Sequence, residues 1–339
     1  MTSEQSLFLV NHEHEKRKLR EHLDSLPDNE ARLAGLNSYH GLKGFVDNSA
    51  AGEEFLLAGN GITFRAVCRP ERARRYDQVG PPAEWYEELA CGGCPIAEEN
   101  VGILQRGKQV PYPWWVNRRP YVFLEQPEGF KFRRRHFTLA SARDESQQWR
   151  PRASTLRARI LDLHAAAATL PSYVLLWNGV GAGASIERRF HMHVLPKGEL
   201  AIQQAAKRTG SPNGSPSAQR RLGGAWPLEA FRVSGPPGFV ADEVLRLALA
   251  WSLAAGDRAS ESIAAFVEDG RVVCIYVPRD RAKERSPTFG AAVGAYEAAA
   301  GVFVFSSEEH RCRLVGKQMK FEDLWQILRD VRPETEFPV

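Results

Sequence analysis

The stretch Trp177-Asn-Gly-Val-Gly-Ala-Gly-Ala-Ser185-Ile-Glu-Arg-Arg189-Phe-His191-Met-His193-Val-Leu-Pro196 constrains this chain more than any other. An apolar strand pattern runs into a glycine-rich loop, and a second strand pattern then alternates polar and apolar residues. Successive side chains of a strand point to opposite faces. The spacing therefore places Arg189, His191 and His193 on one face and Phe190, Met192 and Val194 on the other. Two imidazoles and a guanidinium are costly to bury without partners. The pattern calls for an anion beside them, for a metal, or for a polar face turned to solvent. The Gly/Ser run before the strand favours the anion, because backbone N–H groups converge on a phosphate where no Cβ intervenes. Ser185 adds a hydroxyl donor there.

Length and composition bound the class of molecule. The 339 residues suffice for one large domain or two fused halves, and 43% hydrophobic with 25% charged residues is a globular profile. A formal charge of +4 is too mild and scattered for a nucleic-acid binder, and it suits an anionic small-molecule substrate. The opening residues lack the basic-then-apolar order of a signal peptide. No run approaches the roughly 18 consecutive apolar residues of a membrane helix. Cys68, Cys91, Cys94, Cys274 and Cys312 form an odd set that argues against a disulfide framework. The expectation is a reduced, cytoplasmic protein without nucleic-acid or membrane partners.

Residues 1–50 read as an N-terminal helical extension, with 11–35 a polar surface helix whose His12, His14 and His22 are solvated. Tyr121–Leu124, Tyr173–Trp177 and Phe190–Leu195 read as strands. Within Trp149–Leu170, Leu156, Ile160, Leu163 and Ala167 recur at helical spacing, with His164 a packing residue beside them. Residues 203–226, rich in Gly, Ser, Pro and Arg, read as a linker loop between a first half (51–202) and a second half (227–339). The second half carries a helix over Leu245–Ala254 and a hairpin around Asp269-Gly270. A strand over Gly301–Phe305 and a helix over Phe321–Val331 follow. Strands and helices mix in both halves, so the fold class is α+β.

Phe190-His-Met-His-Val-Leu-Pro196 resembles the histidine-triad signature, in which alternate residues of a strand are histidine, with Arg189 where the first histidine stands. Asn178-Gly through Gly183-Ala-Ser185 is similar to the matching loop of the branch that holds galactose-1-phosphate uridylyltransferase and diadenosine tetraphosphate phosphorylase. GDP-galactose phosphorylases, with Gly-Ala-Ser followed by His-x-His-x-Gln, are similar too. Counting from Ser185 and counting from the triad both put the nucleophile at His191 and the glutamine position at His193. Phe64-Arg65, His136-Phe-Thr-Leu-Ala-Ser141 followed by Gln147, and Gly294–Phe305 with Glu297 resemble further family segments. The resemblance covers roughly residues 60–330 and is specific around 178–196 and 136–141.

The resemblance implies two histidine-triad-like halves built on antiparallel sheets with flanking helices. It also implies a nucleotidyltransferase or phosphorylase that cleaves the P–O–P anhydride of a nucleoside diphosphate sugar or dinucleoside polyphosphate. His191 would attack the α-phosphorus as the neutral imidazole. Arg189, His193, Ser185 and the loop amides would meet the phosphoryl charge, with Asn178, Gly183, Arg65 and His136 binding substrate. Phosphate or a sugar phosphate would be the acceptor. A hydrolase and an inactive nucleotide-binding protein are the alternatives, since Arg189 departs from the pattern. The covalent chemistry needs no cofactor, although a divalent cation such as Mg2+ can accompany the nucleotide. Zinc stays open. Cys91-Gly-Gly-Cys94 with His136 resembles the branch's zinc ligands, yet Arg189 cannot supply the fourth, and Cys68, His40 and His310 are only candidates. The plainer reading is a turn with two free thiols. Arg133-Arg-Arg135, Lys317 and Lys320 read as solvated charge, and Cys274 and Cys312 as buried filler. Oligomeric state is left open.

Overall fold

The computed structural model describes residues 3–43, 54–69, 96, 109–126, 135–150, 152–184, 186–208 and 218–338. Ser185, Cys91, Cys94, Arg133 and Arg134 lie outside the described residues.

The fold is α+β. Nine antiparallel strands form one sheet: β3 (Tyr112–Val116), β4 (Arg119–Glu125), β5 (Phe137–Ser141), β6 (Tyr173–Asn178), β7 (His191–Pro196), β8 (Ala218–Arg221), β9 (Phe231–Ser234), β10 (Ala259–Glu268) and β11 (Arg271–Asp280). Their order is β3-β4-β5-β7-β6-β10-β11-β9-β8, so β3 to β7 lie together on one side of the sheet and β8 to β11 on the other. The two groups of strands meet where β6 pairs with β10, Trp177 opposite Ile263. A smaller sheet joins β1 (Glu54–Gly59) antiparallel to β2 (Ile62–Cys68), and β2 parallel to β12 (Val302–Phe305).

Strand alternation sorts the core into two layers. Tyr121, Phe123, Phe137, Leu139, Met192, Val194, Leu175, Trp177, Ile263 and Cys274 project to one face. That face is covered by helices α1 (Ser3–Asp24), α2 (Asn29–Leu42), α3 (Ala153–Thr169) and α5 (Pro237–Ala255). α3 buries Leu156, Ile160, Leu163 and Ala167 on one stripe, and each large apolar side chain so buried contributes about 1.5–3 kcal/mol. Val174, Leu176, Leu195, Ala264, Phe266, Val273 and Ile275 project to the other face. There they meet the small sheet, α4 (Ala201–Arg208) and α7 (Phe321–Asp330). A further helix, α6 (Glu308–Val315), is N-capped by Ser307.

Several segments differ from the sequence reading. The polar N-terminal stretch is two helices, broken where Asp28 Oδ1 accepts from Ala31 N at 2.8 Å and caps α2. Residues 203–226 are not loop throughout. α4 continues to Arg208, burying Ile202, Ala205 and Ala206, and Ala218–Arg221 forms the edge strand β8. The Gly/Ser/Pro composition masked both short elements. Cys312 is exposed, whereas Cys274 is buried in β11 as read. The Asp269-Gly270 hairpin stands, with positive φ at both residues (49° and 72°), the geometry that a two-residue primed turn requires. No helix among the described residues is long and apolar enough to cross a membrane.

Candidate active site

β7 lies mid-sheet, with His191 opposite Ala140 of β5 and His193 opposite Thr138 of β5 and Leu176 of β6. Met192 and Val194 of β7 lie in the core layer covered by α3, so His191 and His193 share the opposite face, as the alternation required. Their rings lie 5.4 Å apart between centroids. His191 is 2% exposed, and His193 is half-buried.

One hydrogen bond defines the chemistry of His191. Its Nδ1 lies 2.9 Å from the carbonyl oxygen of Arg189. A carbonyl only accepts, so Nδ1 carries the proton and Nε2 keeps its lone pair. Burial lowers the pKa of this imidazole, and the Nδ1 bond to Arg189 offsets part of that effect. The net lowering keeps the ring neutral at neutral pH, with the lone pair on Nε2.

The backbone around that ring is pinned at every step. Phe190 N donates to Glu145 O at 2.5 Å, and Ser141 N donates to Phe190 O at 2.9 Å. His191 N donates to Gln147 Oε1 at 3.0 Å. Arg189 itself takes a different place from the one the alternation gave it. β7 begins at His191, so residue 189 belongs to the preceding turn. Its buried guanidinium donates through Nη1 to Ser141 O at 2.9 Å and to Arg143 O at 3.3 Å. Its observed work is to tie the turn down.

His136, immediately before β5, is brought to the pair. Its Nε2 lies 3.4 Å from His193 Nδ1 and 3.3 Å from the hydroxyl of Tyr296. The Tyr296 ring lies 5.0 Å from the His193 ring, tilted by 51°, and belongs to a π-helical turn, Tyr296–Ala300. Such turns are frequent at functional sites. Sequence reading missed Tyr296, because a five-residue π turn carries no periodic signal. The only pointer was the neighbouring Glu297, whose Oε2 accepts from Gly294 N at 2.8 Å and Oε1 from Val304 N at 3.2 Å.

The glycine-rich loop is built for close packing. A Cβ on Gly179 would stand 2.6 Å from Ser260 Oγ, and one on Gly183 would stand 2.6 Å from Gly294 Cα. Gly183 also holds φ at 98°, which L side chains avoid. Asn178 Oδ1 accepts from Ala295 N at 2.5 Å. Asn178 and Gly183 thus lock the loop against the segment that carries Tyr296. Arg279 of β11 secures that segment from behind, donating to Val293 O at 2.9 Å and Ser262 Oγ at 3.2 Å. Its complete burial lowers its pKa to about 10, which leaves it charged at neutral pH.

Arg65 is not brought to this group. Its Nη1 bonds Glu54 Oε1 at 3.1 Å and its Nε bonds Glu199 O at 3.3 Å, on the small sheet. Metal chemistry gains no support from the described residues: among them no group of three or more His, Cys, Asp or Glu is placed to hold an ion. Of Cys91, Cys94 and His136, His136 alone is described, and it faces His193 and Tyr296. His40 is occupied elsewhere, bonding Glu125 Oε2 through Nδ1 at 2.8 Å and accepting from Val110 N at 3.0 Å. His310 bonds Phe289 O at 2.9 Å.

Solved structures of the same architecture exist. The chain is similar to yeast Ap4A phosphorylase Apa2, with a TM-score of 0.56 and 14% identity over 92% of this chain and 97% of that one. It is similar to the same enzyme in complex with AMP, at a TM-score of 0.57 and 13% identity, and in complex with Ap4A, at 0.58 and 12%. Each of those two alignments covers 91% of this chain and 99% of the other. The likeness is one of fold. No family model matches the chain, and no curated protein matches it.

Proposed function

We propose that this chain is a nucleotidyltransferase of phosphorylase type. It would cleave the P–O–P anhydride of a dinucleoside polyphosphate or a nucleoside diphosphate sugar through a nucleotidyl-histidine on His191. The observation that carries the reading is the buried His191 ring, its Nδ1–H held by the Arg189 carbonyl and its Nε2 lone pair left for attack. The fold shared with yeast Ap4A phosphorylase Apa2, which the solved complexes pair with AMP and with Ap4A, supports a nucleotide substrate.

In the first step Nε2 would form a bond to the α-phosphorus while the bridging P–O bond breaks, its electron pair leaving with the distal phosphate. In the second, an oxygen of phosphate or of a sugar phosphate would displace the imidazole and release a new nucleotide. His193, beside the nucleophile and half-buried, would meet the phosphoryl oxygens, with His136 and Tyr296 next to it. The reading requires no cofactor for the covalent steps, and Mg2+ can accompany the polyphosphate. Zinc on Cys91, Cys94 and His136 is a separate proposal, which metal content of the purified protein tests.

One observation favours a second reading, a nucleotide-binding protein without turnover: Arg189 directs its guanidinium to the Ser141 and Arg143 carbonyls instead of the site. Incubation with diadenosine tetraphosphate and with nucleoside diphosphate sugars, with and without phosphate, separates the possibilities. Phosphate-dependent products support the phosphorylase, and phosphate-independent products indicate a hydrolase. Binding with no product supports the second reading.

A further inference from the structure

The register of β6 against β7 runs Tyr173 opposite Pro196, Val174 opposite Leu195, Leu175 opposite Val194 and Leu176 opposite His193. Continued by two residues, it would put Asn178 opposite His191. That pair does not form. The side-chain amide of Gln147, from the segment after β5, stands between the two strands instead. Its Nε2 donates to Asn178 O at 2.8 Å and to His191 O at 3.2 Å, and its Oε1 accepts from His191 N at 3.0 Å. The bonds fix the orientation of the amide, since only an NH2 can face two carbonyls and only an oxygen can face an N–H. Gln147 is fully buried, and its own backbone is held on both sides. Its N–H donates to Glu187 O at 2.7 Å, and its carbonyl accepts from Arg159 Nη1 at 2.9 Å. Arg159 in turn lies over the Phe190 ring at 4.3 Å.

The wedge has a geometric result. A direct ladder would close β6 onto β7 up to Asn178. With Gln147 inserted, the strands part at the nucleophile, β6 leads into the glycine loop, and the turn 189–191 is tight enough for the Arg189 carbonyl to reach His191 Nδ1. We propose that Gln147 is the positioning residue of the nucleophile, wedging β6 from β7 so that His191 presents Nε2 with its proton held on Nδ1. This inference rests on His191 being the nucleophile, but its geometric part can be tested separately.

The experiment uses the full chain, its Gln147→Ala variant, and Gln147→Met, which fills similar space without donor or acceptor. Nitrogen-15 spectra of the histidine rings, with the His191 signals identified through His191→Ala, report the tautomer without any substrate. The parent is expected to show a single Nδ1-protonated form at His191, and both variants a mixture. Adduct formation on mixing with diadenosine tetraphosphate is then followed by mass. The limiting rate is expected to fall about 10²-fold, the scale of a misplacement near 1 Å, with half-saturation by the donor unchanged. A variant that keeps the parental tautomer, or keeps the parental limiting rate, overturns the proposal. So does a fall that lies in donor affinity alone. If the parent forms no adduct, the nucleotidyl-transfer reading fails while the tautomer comparison still decides the role of Gln147. If both variants fail to fold, the parent decides. Slow solvent exchange of the Gln147 side-chain amide, with a cross-relaxation contact to the His191 amide proton, supports the wedge, and fast exchange without that contact overturns it.

Discussion

Replacing Gly183 with alanine puts the packing account of the glycine loop to a quantitative test. The added Cβ would lie 2.6 Å from Gly294 Cα, 3.3 Å from Asn178 Oδ1 and 3.4 Å from Gly294 N. The nearest atom is backbone, which cannot swing aside as a flexible side chain can. Holding an L residue at a left-handed φ costs about 1–2 kcal/mol, and overpacking a tight contact adds about 1–3 kcal/mol. The destabilisation is therefore about 2–5 kcal/mol. At roughly 2 cal/mol/K of unfolding entropy per residue, a chain of 339 residues converts this to a fall in Tm of about 3–7 °C. Gly224→Ala is the control, because a Cβ there meets nothing within 4 Å and should change stability by under about 0.5 kcal/mol. Differential scanning calorimetry of the two variants beside the parent is the assay. A Gly183→Ala protein as stable as Gly224→Ala, with weakened nucleotide binding, would refute the reasoning and make the loop an open phosphate cradle.

Three further outcomes follow from buried groups. Arg159→Met removes the donor to the carbonyls of Ser146 and Gln147, costing about 1–3 kcal/mol for each acceptor left bare; an unchanged urea midpoint contradicts that role. Burial lowers the pKa values of His191, His164 and His310 below the ordinary value near 6.5. The unfolded chain therefore binds protons first, so the stability from these neutral rings is present above about pH 6.5 and is lost as the pH falls through the folded values. A urea midpoint that does not drop between about pH 7.5 and pH 5 contradicts the assignment. Burial pushes the Cys274 thiol up to about 12, so a thiol reagent at about pH 8 should spare it in the native protein and modify it after unfolding; rapid native labelling of Cys274 contradicts its placement.

What the sequence disclosed, it disclosed through periodicity. The two-residue alternation separated Phe190, just before β7, and Met192 and Val194 within it from His191 and His193, and the helical stripe of α3 was equally plain. The Asp269-Gly270 turn named itself because few dipeptides accept two positive φ angles. Arg189 was misplaced because alternation was extended two residues before the strand begins, into a turn held by Glu145, Ser141 and Gln147. Gln147 and Tyr296 act across long sequence separations, the first as a side chain replacing ladder bonds and the second on a π turn. Neither arrangement leaves a local pattern. The loop glycines looked alike for a phosphate cradle and for close packing, since both exclude a Cβ. Only the positions of Ser260 and Gly294 distinguish the two.

The central claim is the nucleophilic role of His191, and intact mass after mixing with diadenosine tetraphosphate at neutral pH tests it most directly. Acid must be avoided, because a phosphoramidate is labile. The account predicts a mass increase of one nucleoside monophosphate in the parent, its loss on adding phosphate or another acceptor, and no increase in His191→Ala. An adduct that persists in His191→Ala, or turnover by that variant at the parental rate, would contradict the account.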